Sequence, residues 1–535
     1  MAEIADLKSI HKALISFNKR AERSSDGTLV ATFVDSEPLF DLLSTPNNQV
    51  IYGRRGTGKT HALKYLAEQI ESDRESSIYI DLRSVGSNGS IYSDHDRTLP
   101  ERASTLLLDV LGGLYDELFN LALASIDSHP HPDEVTRRLD ALQTALSTIE
   151  IRGQTSTEVS DASSQKATGG WGANLNAAPT SSLSINAKAE VEAQQARTEK
   201  ISRTGRQVAH LTFGNIAGSL GNLLSILSAS RIWLLIDEWS EIPVDLQPYL
   251  ADLIRRTILP INDITIKIAA IEHRSNFSIL MERGEYIGLE LGSDISADLN
   301  LDDFLVFDNS QEKSTRFIKT LLFKHYESAT GAPEFSDADT FIQSVFTQYP
   351  VFEEFVRAVE GVPRDALNLA AKIATKAFGQ RVAMNHVRSA ARDWYNQDKA
   401  AAIRSNVELS ELVSHIVEKV INTRRARAFL FRSNTKHTGL EKLFDARLLH
   451  ILKKNVSSHD QPGSRFDVYK IDYGCYVDLI NTAKSTQGLF ESDDADGFVD
   501  VPKDDYRSIR RAILLPEDIP DYIHSAAINE QAPSK

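Results

Sequence analysis

A parallel α/β fold is predicted by three features of this 535-residue chain. Short apolar strands alternate with helix-period segments through its first 310 residues, as in a parallel sheet covered on both faces. One strand, Gln49-Val50-Ile51-Tyr52, runs into the glycine loop Gly53-Arg54-Arg55-Gly56-Thr57-Gly58-Lys59-Thr60. Another, Ile232-Trp233-Leu234-Leu235-Ile236, ends in the paired carboxylates Asp237-Glu238.

The remaining elements follow in order. Residues 1–30 begin helical and turn polar, and a helix over 61–70 follows the glycine loop. A second buried strand spans 77–82, and a long apolar-periodic helix spans 103–123. His129-Pro130-His131-Pro132 then breaks the chain, and a helix is predicted over 133–146. The Ser/Thr/Ala/Asn/Gly-rich stretch 153–200 buries too little surface for a core and reads as an inserted hairpin or a loop. Within it Leu183, Ile185, Ala187, Ala189 and Val191 alternate with polar residues, a strand signature. Phe213, Ile216, Leu220, Leu223, Leu224 and Leu227 mark one helix face. Strands at 231–236, 264–271 and 286–291 and a helix at 245–259 complete the α/β part. Helices dominate from 312, a strand-rich segment spans 425–480, and the tail beyond 491 is acidic and reads as loose.

Composition narrows the function classes. Hydrophobic content of 41% and charged content of 25% are those of a soluble globular protein, and the length asks for several domains. A single cysteine, Cys475, excludes a disulfide framework and a cysteine-rich zinc site, and no histidine cluster is credible as a metal site, since His129 and His131 sit in a proline turn. The N-terminus lacks a signal-peptide pattern, and no apolar run approaches the ~18 residues of a membrane helix. A cytoplasmic protein without a membrane contact is therefore expected. A net charge of −15 argues against general nucleic-acid binding, although charge patches matter more than totals.

The glycine loop matches Gly-x-x-x-x-Gly-Lys-Thr, the Walker A pattern, between a strand and a helix. Its glycines permit a tight turn whose N–H groups face phosphate oxygens, and the next helix presents its positive end. The expected nucleotide-binding set is Gly53, Arg54, Arg55, Gly56, Thr57, Gly58, Lys59, Thr60 and His61. Lys59 reaches the β- and γ-phosphates, and Thr60 offers a hydroxyl to Mg²⁺. At the end of its strand, Asp237 holds Mg²⁺ and Glu238 polarises the attacking water. The cofactors expected are ATP and Mg²⁺, and the reaction is ATP hydrolysis to ADP and phosphate.

The order of Walker A, helical region, apolar strand with Asp-Glu, further strand and helical lid resembles the AAA+ superfamily. Gly361-Val362-Pro363-Arg364-Asp365-Ala366-Leu367 resembles the lid motif of its origin-recognition-complex-type clade. That likeness implies that Arg364 reaches the γ-phosphate as sensor 2. It also implies a polar sensor 1 residue after the Walker B strand, where this chain has Glu272 and His273 in place of the usual Asn, Ser or Thr. An arginine finger acting on a neighbouring subunit is implied at Arg283, with Arg274, Arg255 and Arg256 as alternatives. The clade implies homo-oligomers. The division expected is an N-terminal helical segment (1–30), a nucleotide-binding core (31–310, insertion 126–210), a helical lid (311–400), a C-terminal unit (401–490) and an acidic tail (491–535).

Residues 419–454 carry ten basic and two acidic side chains inside this acidic protein. Their layout is predicted as helix 409–421, strand 428–431, a helix or helix pair over 440–453, and a hairpin over 466–480 turning at Asp472-Tyr473-Gly474. This resembles the winged-helix module that follows the lid in the same clade, and cationic side chains beside a helix suit phosphate contacts. Two functions remain open: an ATP-driven switch assembling on DNA, or an ATP-gated oligomeric scaffold controlling a protein effector, as in prokaryotic anti-phage defence. A processive motor is disfavoured, because no aromatic-Val/Ile-Gly pore triplet follows the second strand.

Overall fold

A computed structural model describes the chain between residues 6 and 519, apart from 18–23, 86–96, 159–199, 306–310, 458–462, 479–512, 516–518 and shorter gaps. Its twelve strands among the described residues are β1 (Gln49–Tyr52), β2 (Ser76–Asp81), β3 (Ile149–Glu158), β4 (Lys200–Ala209), β5 (Ile232–Asp237), β6 (Ile264–Ala270), β7 (Ser278–Leu280), β8 (Tyr286–Gly288), β9 (Ser296–Asn300), β10 (Ala428–Arg432), β11 (Leu449–Ser457) and β12 (Arg465–Ile471).

The central sheet is parallel in the order β2-β5-β6-β1-β9. Every residue of β1, β5 and β6 is buried, which explains their unbroken aliphatic sequences. One face packs on helices Leu99–Ile126, Phe213–Leu224 and Gln247–Thr257; the other packs on helices Leu39–Leu43 and Lys59–Ser72. The order sets β6 between the strand of the glycine loop and the strand of the paired carboxylates. Both motifs therefore end on the same edge, where ligands of open α/β sheets bind.

The inserted segment forms the antiparallel pair β3–β4, in register from Ile149↔Ala209 to Glu158↔Lys200. At ~3.4 Å per residue, such arms run about 30 Å. The alternating stretch 183–191 lies outside the described residues.

Helices Gln311–Thr330, Ala338–Val345, Tyr349–Val359, Pro363–Lys376 and Met384–Trp394 share one apolar core. Ile10, Ala13, Leu14 and Phe17 from the start of the chain are buried in that same core, so helix Leu7–Ser16 packs on the lid. The chain then passes through Tyr395–Lys399 and Ala400–Arg404 into a sheet of order β10-β12-β11.

This C-terminal unit departs from the predicted layout. One helix, Thr438–Asp445, lies between β10 and β11 among the described residues; the rest of the predicted helical stretch is strand, since Leu449–Ser457 pairs with β12. The hairpin is β11–β12. Asp472 does not turn it: its side chain accepts the main-chain N–H of Cys475 (3.2 Å) and starts the helical residues 473–478. Asp with a Gly two residues on serves a turn and a helix start alike, and pairing decides between them. In the acidic tail, Leu514 donates its N–H to Leu430 and adds a bridge to the edge of β10.

Asp472 is buried and accepts from Lys399 Nζ at 2.5 Å. Burial opposes the Lys399 charge, but Asp365 and Asp472 override it and raise its pKa. Asp472→Ala, which leaves that ammonium facing Asp365 alone and uncaps the helix, is expected to lower unfolding free energy by about 3 kcal/mol. Urea unfolding followed by circular dichroism measures it; a change under ~0.5 kcal/mol, the scale of a neutral surface substitution, contradicts the structural role.

Candidate nucleotide site

The glycine loop takes its shape from positions only glycine fills easily. Gly56 and Gly58 have φ of +90° and +97°. A Cβ on Gly56 would lie 2.9 Å from Arg364 Cβ, so the lid rests directly on the loop. Arg364 also donates its main-chain N–H to Gly56 O (3.2 Å). Lys59 opens the following helix, and its buried ammonium donates to Gly53 O (2.7 Å) and Arg54 O (3.1 Å). Both partners are neutral, so the charge is available to an anion. Burial lowers the Lys59 pKa, with Glu238, Asp237 and Asp302 opposing.

Asp237 is fully buried at the end of β5. Its carboxylate accepts from Tyr79 Oη (2.7 Å) and from the Glu238 N–H (2.8 Å), which fixes its direction. Glu238 adopts a left-handed φ of 56°, an unusual conformation that swings its side chain off the strand line. Burial, then the Asp237 charge, raises the Glu238 pKa; Lys59 and Arg83 oppose. Such a carboxylate is a stronger base than an exposed one.

A cavity of about 320 Å³ gathers Gly56, Gly58, Lys59, Thr60, Glu238 and Arg364. Arg83 lines it too, paired with Asp81 (2.6 Å) and 3.6 Å from Glu238. The sequence reading missed Arg83. Its signal was a cation just past β2, the strand in register with β5 at Asp81↔Asp237. His61 lines the same cavity; Arg55 lies at its rim, paired with Glu241 at 2.5 Å.

Other expected residues lie elsewhere. Glu272 receives Asn300 and Lys454, each at 3.3 Å, while His273 packs on Phe444 (5.5 Å); neither lines the cavity. Arg255 and Arg256 both bind Asp252, at 2.7 and 2.6 Å. Arg274 lies close enough to Asp445 to act on its carboxyl. Arg283 is outside the described residues.

Comparison with known proteins adds a family. Residues 16–93, which include the whole glycine loop and β2, match the ORC-CDC6-like family model. Over that segment the chain is similar to ORC-CDC6-like proteins. A solved structure of the Aeropyrum pernix Orc1 protein in complex with DNA is similar over 89% of this chain and 96% of that one, at 14% identity and a TM-score of 0.32. At that distance no residue role is carried across. No curated protein matches.

One residue of the glycine loop turns away from the cavity. Arg54 was expected among the nucleotide-binding residues, yet its side chain is 3% exposed and enters the C-terminal unit. Its N–H and Nε donate to the two Asp302 oxygens at 2.8 and 2.6 Å. Its Nη1 lies 2.8 Å from His450 Nδ1, and its guanidinium sits 4.6 Å from the Phe444 ring centre. His450 Nε2 then meets Asp472 at 3.4 Å, and Asp472 meets Lys399. Lys399 reaches Asp365 (3.0 Å), which also binds Arg447. The chain of charges joins the glycine loop to the C-terminal sheet and back to the lid residue next to Arg364.

Burial lowers the His450 pKa to about 4, against an ordinary value of 6.5. The folded state thus binds fewer protons than the unfolded chain between those values. The His450 contribution is complete above about pH 6.5 and is lost as pH falls toward 4. His450→Asn keeps an acceptor for Arg54 and removes this titration. Its unfolding free energy, measured in urea from pH 7.5 to 4.5, is expected to fall less steeply with pH than that of the wild type. Parallel curves contradict the assignment.

Proposed function

We propose that the chain is an ATP-binding and ATP-hydrolysing AAA+ switch whose nucleotide state governs its assembly. The observation that carries this reading is the convergence of Lys59, Thr60, Glu238 and Arg364 on one cavity, with Asp237 fixed beside it. The donor set fits a nucleotide with its magnesium: a cation bonded only to neutral carbonyls, a hydroxyl at the helix start, and a carboxylate oriented by two donors. Bound Mg²⁺ neutralises phosphate charge. Thr60 and Asp237 would hold it, Lys59 and Arg364 would face phosphate oxygens, and Glu238 would take the proton of the attacking water. Arg83 stands against Glu238 and holds its carboxylate in place until substrate is bound. Arg283 is the proposed finger toward a neighbouring subunit.

Lys59→Ala is expected to weaken MgATP binding by at least tenfold, and Glu238→Gln to bind ATP while losing at least 90% of turnover, about 1.4 kcal/mol of barrier or more. Equilibrium binding and phosphate release check both. Wild-type affinity in the first, or undiminished turnover in the second, removes the corresponding role.

For the assembly partner the reading divides. DNA is supported by exposed Lys419, Arg432, Lys442 and Lys453 in the basic segment. Other cations of that segment are taken up within the chain, which weakens the DNA reading and leaves the protein effector as the second: buried Arg427 binds Glu360, Arg447 binds Asp365, and Lys454 pairs with Glu272. Of the three arginines nearest β10, Arg424 and Arg425 lie outside the described residues. Duplex binding by the full chain should fall steeply with salt if phosphate contacts carry it. Reversing Lys419, Arg432, Lys442 and Lys453 to Glu should then weaken it by at least tenfold and leave ATP affinity unchanged. An absence of salt-sensitive binding to duplex or single strand leaves the effector reading.

A further inference from the structure

The cavity has a second, less charged lining that the phosphate chemistry does not use: Leu29, Thr32, His61, Leu321, His325 and Leu367. These six are apolar except for two imidazoles and one hydroxyl, with Ser24 also on the cavity wall, and Thr32 Oγ1 already donates to Thr28 O at 2.7 Å. The imidazoles come from different parts of the fold. His61 follows the glycine loop, and His325 stands on helix Gln311–Thr330 of the lid. Aromatic rings hold both in place. Phe33 meets His61 edge-on at 5.5 Å and stacks on Tyr65 at 3.9 Å, and Phe17 lies 5.7 Å from His325.

Their hydrogen positions follow from their partners. His61 Nε2 lies 2.7 Å from Leu29 O, and His325 Nδ1 lies 2.9 Å from Leu321 O. A carbonyl oxygen only accepts, so each of these nitrogens carries the hydrogen. A neutral imidazole holds one hydrogen, which these bonds place on His61 Nε2 and His325 Nδ1, and burial, which lowers the His325 pKa to about 4, keeps the lid ring neutral. The other nitrogens, His61 Nδ1 and His325 Nε2, are therefore acceptors.

We propose that His61 and His325 select adenine over guanine by offering two ring-nitrogen acceptors to the amino group at C6. Adenine donates from that position. Guanine places a carbonyl oxygen there, lone pair against lone pair, and a buried mismatch of this kind discriminates more strongly than a missing contact. The inference rests on the ATP reading above and adds the side chains that select its base.

The test uses the full chain with Mg²⁺ and three probes: ATP, GTP, and purine riboside 5′-triphosphate, which is ATP without its amino group. Wild-type protein is expected to bind ATP about tenfold more tightly than the deaminated probe, the worth of about one hydrogen bond, and more tightly still than GTP. His325→Phe keeps a flat ring and removes the acceptor. The His61 acceptor remains, so the variant is expected to cut the preference for ATP over the deaminated probe from about tenfold to about threefold, the loss falling on ATP. His61→Phe is the second variant, with the same expectation. Equal wild-type affinity for ATP and the deaminated probe overturns the proposal and leaves the ATPase reading standing. Equal losses on both probes in the variants also overturn it, since the rings then act by shape alone. No binding of any purine triphosphate by the wild type overturns the ATPase reading itself. If neither variant folds, the wild-type comparison decides.

Discussion

Asp302 holds both the backbone and the side chain of Arg54, and the glycine loop and the C-terminal unit are both built around that pair. Its position just past β9 brings a carboxylate to the edge of the sheet where the loop begins. The backbone bond fixes the second residue of the loop, and the side-chain bond aims the guanidinium at Phe444 and His450. From there charges alternate through Asp472, Lys399, Asp365 and Arg447. Such a buried network does little more than offset its own desolvation, which runs to several kcal/mol per ion. Attraction between the units comes from apolar surface such as Tyr473, Tyr476 and Val477, which are buried in the lid core, and the charges set the orientation in which the partners meet.

The uneven charge of the chain acquires a structural reason on the same footing. A basic segment in a protein of net charge −15 suggests a phosphate-binding face from sequence alone. Part of that segment instead meets carboxylates of the lid and the core. Arg427 donates to Glu360 and also lies 5.1 Å from the Tyr473 ring centre, and Lys470 reaches the other Glu360 oxygen at 3.4 Å. Glu360 adopts a left-handed φ of 51°, which turns its carboxylate toward the C-terminal sheet from the end of helix Tyr349–Val359. Charge counting cannot separate a cation facing solvent from one facing an internal carboxylate, because the partner lies far away in sequence, 182 residues for Lys454 and Glu272.

Legibility followed locality. The glycine loop was readable because its glycines encode backbone angles that no distant contact can substitute, and β5 and β6 because burial on both faces demands aliphatic runs. The fold class and the family likeness of the core followed from these. The strand order was not readable, because it depends on pairing between segments more than two hundred residues apart, β1 with β6 among them. The hairpin turn was misplaced at Asp472, whose side chain starts a helix, and the second half of a predicted helix paired as β11. Arg83 and His325 were invisible as site residues, since neither belongs to a motif and both enter the cavity only through folding.

The lid is where these two systems meet. Pro363 starts helix Pro363–Lys376 with its ring-fixed φ, and the next two residues point into different surroundings. Arg364 lines the cavity, and Asp365 joins Lys399 and Arg447. The two side chains sit about 100° apart on one rigid turn, so a movement of the helix that carries Arg364 toward phosphate also shifts Asp365 within its buried ion network. The same turn packs on Gly56 with no room for a methyl group. A ligand that prefers one setting of this helix must therefore alter how firmly the C-terminal unit is held. By reciprocity, whatever binds the C-terminal unit in one setting must alter nucleotide affinity by the same factor. The coupling needs no flexible linker, because a lid helix and a loop residue are both members of the interface.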